Sequence, residues 1–207
     1  MKALILIDVQ NDFCPGGKLA VPNGDEIIQP INRIIPLFGH VIQTQDWHPK
    51  DHLSFASNHN GKSEYESIEL NYGEQVLWPN HCVQGSFGAE FHSELNTKAT
   101  QLTVRKGFRK EIDSYSGFTE NDHKTKTGLD GFLSSLNINQ LFLCGLATDF
   151  CVKWTALDAR KLGYDVYVIE DAVRAIDLNN SLSIAISEML DKGVHFVQSE
   201  NIHRIIE

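Results

Sequence analysis

Short apolar runs rich in β-branched and aliphatic residues recur along the chain: Ala3 to Ile7, His40 to Gln45, Leu102 to Arg105, Gln140 to Cys144, Asp165 to Ile169 and His195 to Gln198. Several are apolar at nearly every position, the pattern of strands covered on both faces. Segments with helical spacing lie between many of them. Asp25 to Phe38 carries Ile27, Ile28, Ile31, Ile34, Ile35 and Leu37 at that spacing, and Pro30 and Pro36 predict breaks or late starts. Leu129 to Leu136, Asp149 to Leu162 and Leu178 to Leu190 are cleaner, with Gly163 and Gly193 where C-terminal caps belong. Strand alternating with helix predicts an α/β fold, a three-layer α/β/α sandwich around a mostly parallel central sheet of about six strands.

Two stretches resist the pattern, Trp47 to about Phe91 and Gly107 to about Gly128. Loops of that length inside a compact domain are usually functional or hold elements without a clear signal. No repeat, low-complexity tract or linker divides the chain, so residues 1–207 are expected to form a single domain.

Composition agrees with a folded chain: hydrophobic residues are 42% and charged residues 22% of the total, close to ordinary globular usage. Eighteen Lys and Arg against 27 Asp and Glu give a formal charge of −9. That balance argues against nucleic acid or an anionic membrane as partner, since affinity for either comes largely from clustered cations. The nearest approach to a cluster, Arg105, Lys106, Arg109 and Lys110, is diluted by Glu111 and Asp113. The first apolar run is far short of the roughly 20 residues that span a bilayer, and no leader or anchor is expected. Cys14, Cys82, Cys144 and Cys151 form no CxxC pair, which points to free thiols in a reduced, cytoplasmic compartment.

In open parallel sheets, ligands bind beyond the carboxyl ends of the strands. Asp8 ends the first run, Asp46 and His48 follow the second, Lys106 ends the third and Cys151 stands just beyond the fourth. These five are therefore expected to converge on one edge. Cys151 falls at the start of the Asp149 to Leu162 segment, with Thr148 as the expected N-cap, and a helix N-terminus stabilises a thiolate. A lone buried cysteine is more often a small hydrophobe than a nucleophile. Here Asp8 could take the thiol proton and Lys106 could hold both charges in place. Asp46, His48 and His81 form an oxygen and nitrogen set suited to Zn²⁺, Fe²⁺ or Mn²⁺, with His52 a further candidate.

Five blocks, Asp8-Val9-Gln10-Asn11-Asp12-Phe13, Gln45-Asp46-Trp47-His48-Pro49, Trp78-Pro79-Asn80-His81-Cys82-Val83, Arg105-Lys106-Gly107 and Gly145-Leu146-Ala147-Thr148-Asp149-Phe150-Cys151-Val152, occur in one order. Together with Tyr115-Ser116-Gly117-Phe118 they resemble the bacterial nicotinamidases, which belong to the isochorismatase-like hydrolases. The resemblance covers nearly the whole chain and implies the isochorismatase-like, Rossmann-like form of the sandwich. It implies an amidohydrolase acting on a linear carboxamide, converting nicotinamide to nicotinate and ammonia in NAD salvage and accepting pyrazinamide. The implied triad is Asp8, Lys106 and Cys151, and the implied ligands of one divalent metal, Zn²⁺ before Fe²⁺ or Mn²⁺, are Asp46, His48 and His81. It also implies a cis peptide at Leu146-Ala147, an oxyanion hole of the Ala147 and Cys151 backbone N–H groups, and a ring pocket lined by Phe13, Trp78 and Tyr115. Whether His52 or Ser54 joins the metal shell, whether the chain forms a homo-oligomer, and whether Thr119 to Lys126 is a solvated loop or a lid are left open. Other amidases and hydrolases of the superfamily, acting on ureido, carbamoyl or enol ether groups, generally lack this metal set. A metal-binding or redox protein without catalysis is disfavoured by the complete triad.

Overall fold

The computed structural model describes residues 1–206. Its strands are β1 (Lys2–Ile7), β2 (Val41–Asp46), β3 (Ser67–Leu70), β4 (Gly73–Val76), β5 (Thr100–Lys106), β6 (Gln140–Leu146), β7 (Asp165–Arg174) and β8 (His195–Val197). Six of them form one sheet in the order β5-β2-β1-β6-β7-β8, with every neighbouring pair parallel. The helices are α1 (Ile28–Ile34), α2 (Leu129–Ser135), α3 (Lys153–Lys161), α4 (Ser181–Asp191) and α5 (Ile202–Ile206).

Alternation along the strands explains the layers. In β1, Leu4 and Leu6 join a core with Ile28, Ile31 and Ile34 of α1 and Ile202 of α5. Ile5 and Ile7 join the opposite core with Leu133 of α2, Ala156 and Ala159 of α3, and Ala185 and Met189 of α4. Since successive side chains of a strand point to opposite faces, an apolar run without polar interruption is what a sheet between two helical layers requires.

Several elements differ from expectation. Pro36 splits the Asp25 to Phe38 segment, which becomes α1 between two short 3₁₀ turns, Gly24–Ile27 and Ile35–Leu37. The expected Asp149 to Leu162 helix begins as a π turn over Thr148–Val152 before α3. Thr148 is not its N-cap: that position falls to Ala147, whose carbonyl accepts the Phe150 and Val152 N–H groups. Strand β7 runs five residues past Ile169, because Val173 and Arg174 pair with Gly145 and Leu146 after a register shift. Helix α5 had no distinct periodic signal.

The two unpatterned stretches hold structure of their own. The first contains the antiparallel β3–β4 hairpin and is stitched down by bridges from Gln10 to Phe91, His48 to Val83 and Phe55 to Trp78. The second closes through a bridge between Thr119 and Lys126.

The sheet builds outward from β1 toward β5 on one side and from β6 toward β8 on the other, so the strand order reverses between β1 and β6. That switch point opens a crevice at the carboxyl ends of the strands. The backbones there are very close. A Cβ on Gly145 would lie 2.0 Å from the Ile7 carbonyl oxygen, and its φ of +120° suits glycine alone.

Candidate active site

Asp8 leaves the end of β1, Asp46 and Lys106 are paired in register at the ends of β2 and β5, and Cys151 lies on the π turn after β6. The sheet thus delivers four buried groups to one point. Lys106 Nζ lies 2.9 Å from Asp8 Oδ2 and 3.4 Å from Cys151 Sγ. It also donates to the Ser114 carbonyl at 2.9 Å and is ion-paired with Asp46. Asp8 is held by Thr44, whose hydroxyl donates to Oδ1 at 2.6 Å and accepts the Asp8 N–H at 3.2 Å. Ligating atoms of Asp8, Asp46 and Cys151 all fall within 4.8 Å of one another.

Burial drives the protonation balance. It raises the Cys151 thiol well above its usual range, with Lys106 pulling the other way. It likewise raises Asp8 against the opposing pull of Lys106. For Lys106 burial alone would favour the neutral amine, but Asp46 and Asp8 outweigh it and hold the ammonium well above its ordinary value. The site is therefore a buried cation between two carboxyl groups, with a neutral thiol beside it.

Asp46 turns its other oxygen away from Lys106 toward two histidines. His48 Nε2 is 3.5 Å and His81 Nε2 3.8 Å from Asp46 Oδ2. In each ring the far nitrogen meets a backbone carbonyl, His48 Nδ1 with Gly107 at 2.8 Å and His81 Nδ1 with Pro79 at 2.8 Å. A carbonyl only accepts, so Nδ1 must carry hydrogen, and in the neutral ring Nε2 is left presenting its lone pair to the carboxylate. Lone pairs converging on a carboxylate oxygen are the arrangement of a metal-ligand set, with outer carbonyls fixing the tautomers. Burial would lower the His48 pKa, yet Asp46 outweighs it and raises it, so this corner favours positive charge. Gly107 has φ +63°, and a Cβ there would lie 2.3 Å from the His48 ring.

His52 is differently engaged. Its Nδ1 accepts the Ser54 N–H at 3.1 Å and meets the Ser54 hydroxyl at 2.7 Å, while Nε2 meets the Ile112 carbonyl at 3.2 Å. Both nitrogens are thus occupied by protein groups, and so is the Ser54 hydroxyl. Burial, then the neighbouring His48, hold the His52 pKa down to about 4.

A narrow pocket opens over this centre. Phe13, Trp78 and Tyr115 line it together with Ala147, Cys151, Asp46, His48 and His81, and the Leu146–Ala147 peptide beneath is cis. Leu19, Asp113, Phe150 and Ile176 line it too, none singled out by the sequence pattern. Trp78 meets Phe150 edge-on at 4.9 Å between ring centroids, and Tyr115 meets Phe150 at 5.7 Å, which leaves flat aromatic surface for a small planar ligand.

Comparison with known proteins agrees with this geometry. The isochorismatase domain matches residues 2–201. The chain belongs to the isochorismatase family. Within that family, it is 54% identical to a nicotinamidase of Acinetobacter baylyi, covering 97% of this chain and 94% of that one. A solved nicotinamidase and pyrazinamidase of Acinetobacter baumanii superposes with a TM-score of 0.96 at 54% identity, covering 97% of both chains. A pyrazinamidase of Pyrococcus horikoshii, solved in complex with zinc, superposes with a TM-score of 0.78 at 36% identity over 95% of this chain and 98% of that one.

This isochorismatase-family chain also uses buried polar residues that spacing alone did not reveal. Gln10 donates its amide to the Asp46 and Ala89 carbonyls at 2.9 Å each and accepts the Asp46 N–H at 2.8 Å, fixing the backbone on which Asp46 faces Lys106 and the two histidines. Asp12 accepts the Cys82 N–H at 2.7 Å and so anchors the turn that carries His81. Asp149 accepts the Ile176 N–H at 3.1 Å, the Asp177 N–H at 2.8 Å and the Ser181 hydroxyl, tying the loop before α4 to the cysteine turn. The only hint in the sequence was their membership of the blocks around Asp8 and Cys151.

Proposed function

We propose that this protein hydrolyses nicotinamide to nicotinate and ammonia, with pyrazinamide as an accepted analogue, through a thioester on Cys151. Sequence identity of 54% to nicotinamidases over nearly the full chain supports the substrate. The observation that carries the mechanism is the single buried ammonium of Lys106, placed at once against Asp8 and Cys151.

In the first step Asp8 takes the thiol proton while Sγ bonds to the carboxamide carbon, and the C=O electron pair moves onto oxygen. The Ala147 and Cys151 backbone N–H groups hold that oxyanion, an effect typically worth a few kcal/mol per donor. Asp8 then gives its proton to the amide nitrogen as the C–N bond breaks and ammonia leaves. In the second step Asp8 takes a proton from water, whose oxygen adds to the thioester carbon. The C–S bond breaks, and the departing sulfur regains a proton from Asp8. Throughout, Lys106 offsets the mutual repulsion of Asp8 and the thiolate, which would otherwise raise each other's pKa.

Phe13, Trp78 and Tyr115 stack around the ring and orient the carboxamide toward Sγ. Asp46, His48 and His81 would hold one divalent metal ion, Zn²⁺ before Fe²⁺ or Mn²⁺, and a zinc-bound relative supports that choice. When bound, such an ion supplies a Lewis-acid site for a ring nitrogen or water. The product enters NAD salvage. Four unpaired thiols support work in a reducing cytoplasm, and no described helix is long and apolar enough to cross a membrane.

The test is ammonia release from nicotinamide by purified, metal-supplied protein, run beside Cys151→Ala. Release by the parent and none by the variant, with metal retained by both, is the expected outcome. Normal turnover by Cys151→Ala would remove the thioester route, and silence of the folded, metal-bound parent would remove the substrate.

A further inference from the structure

Gln75 is a polar side chain of the β3–β4 hairpin, outside all five sequence blocks, and only 1% exposed. Resting on the nicotinamide reading above, we infer that Gln75 is a positioning residue that fixes the aromatic walls of the substrate pocket through Tyr115 and Trp78.

Its orientation follows from counting donors and acceptors. Asp113 Oδ1 accepts the Ser114 N–H at 2.8 Å, and Oδ2 accepts Gln75 Nε2 at 2.9 Å. A carboxylate only accepts, so the amide nitrogen must face it; the flipped amide would set oxygen against oxygen. With the nitrogen placed, it also meets the Tyr115 hydroxyl at 3.1 Å and the Val76 carbonyl at 2.7 Å. The amide oxygen then accepts the Tyr72 hydroxyl at 2.9 Å and Asn121 Nδ2 at 3.4 Å. Both donations into it agree with the same orientation.

Tyr115 is thereby gripped from two sides. Trp78 Nε1, which can only donate, gives its hydrogen to the Tyr115 hydroxyl at 3.0 Å. That oxygen takes the Trp78 N–H and shares a Gln75 N–H, since the two hydrogens of Gln75 Nε2 serve three acceptors, Asp113 Oδ2, the Val76 carbonyl and this hydroxyl, and the two pocket rings stay edge to face at 6.3 Å and 84°. The amide of Gln75 is the link between these rings and the fixed Asp113 carboxylate. Without it, Tyr115 and Trp78 keep only each other as polar partners in this group, and the slot between them and Phe150 loses its definition. Loss of positioning in the ground state raises KM while leaving the reaction at Cys151 largely intact.

The test compares nicotinamide kinetics of the metal-supplied parent, Gln75→Leu, Tyr115→Phe and the double variant. Each single change is expected to raise KM by about tenfold, the worth of one or two hydrogen bonds, with kcat within about threefold. The double variant should be no worse than the weaker single, since both remove the same link. Unchanged KM in Gln75→Leu, or single effects that multiply in the double variant, would overturn the inference. A second pair of proteins keeps the test independent of how well the leucine variant folds. Gln75→Glu sets two carboxyl groups against each other and should raise KM further, and adding Asp113→Asn restores a donor across that contact and should recover most of the loss. Failure of that recovery counts against the inference. Absence of ammonia release by the parent would overturn the substrate reading, whereas an active parent with indifferent Gln75 variants overturns only the role of Gln75.

Discussion

Lys106 and Asp46 form a buried ion pair that joins the cluster of Asp46, His48 and His81 to Cys151, because the same ammonium also reaches Asp8 and the thiol. Two sites that the sequence presents as separate motifs therefore share one cation. Asp46 is the hinge of the arrangement, with one oxygen on Lys106 and the other facing His48 and His81.

Lys106→Met should expose the cost of that sharing. Removing one member of a buried charge group leaves the others uncompensated, typically worth about 3 to 5 kcal/mol. Urea unfolding is expected to show a loss of that order together with loss of ammonia release. A stability equal to that of the parent would contradict the placement of the ammonium between Asp8 and Asp46.

His81→Ala is expected to lose metal and turnover together. Its Nε2 faces Asp46 and its Nδ1 is held by Pro79, so no other group replaces the lost lone pair at that position. Elemental analysis of the purified variant beside the parent decides the point, and full metal content in the variant would remove His81 from the ligand set.

Asp149→Ala should loosen the pocket from behind. The carboxylate satisfies two backbone N–H groups and one hydroxyl of the loop that carries Ile176 into the pocket. The donors are only partly buried, so losing their shared acceptor costs about 1 kcal/mol, the worth of an ordinary hydrogen bond. A lower Tm and a raised KM are expected, and a variant with a lower Tm but unaltered KM would separate the loop from substrate binding.

Glu120 gives a pH signature away from the active centre. It is buried, its Oε2 has no hydrogen-bond partner, and burial outweighs its Arg109 partner to raise its pKa above the ordinary 4.5. A raised folded pKa means the native state holds the proton more tightly, so the stabilisation is complete below about 4.5 and declines as pH rises through the folded value. Glu120→Gln removes that dependence. Thermal unfolding of both proteins from about pH 4 to pH 7 should show the variant gaining on the parent as pH rises. The opposite trend would mean that Arg109 dominates.

The legible part of the fold was the part whose environment is uniform. Strands β1 and β6 lie in the sheet interior and are covered on both faces, so they read as nearly unbroken apolar runs, whereas β2, equally buried, carries Gln43, Thr44, Gln45 and Asp46 toward the site. The β3–β4 hairpin is only partly buried and has four residues per strand, which gives alternation too short to stand out. Asp8, Asp46, Lys106 and Cys151 were legible because strand ends in a parallel sheet share one edge. Ile176 and Asp113 were not, since loops bring them to the pocket through contacts far apart in sequence, and Gln75 reaches Asp113 and Tyr115 from the β3–β4 hairpin in the same way. The π turn at Thr148–Val152 was hidden for a similar reason: its spacing differs from a helix by one residue, and the periodicity across Asp149 to Leu162 absorbs that difference.

Strand β5 is the outermost strand on its side of the sheet, paired to β2 alone, and Lys106 is its last residue. Side chains along a strand alternate in direction, so a slip of one position would turn the ammonium out of the crevice and put Arg105 or Gly107 in its place. The molecule has thus placed its central charge at the margin of its architecture. Turnover becomes a gauge of whether that border strand is seated, and fraying there would silence the protein while the interior of the sheet still stands.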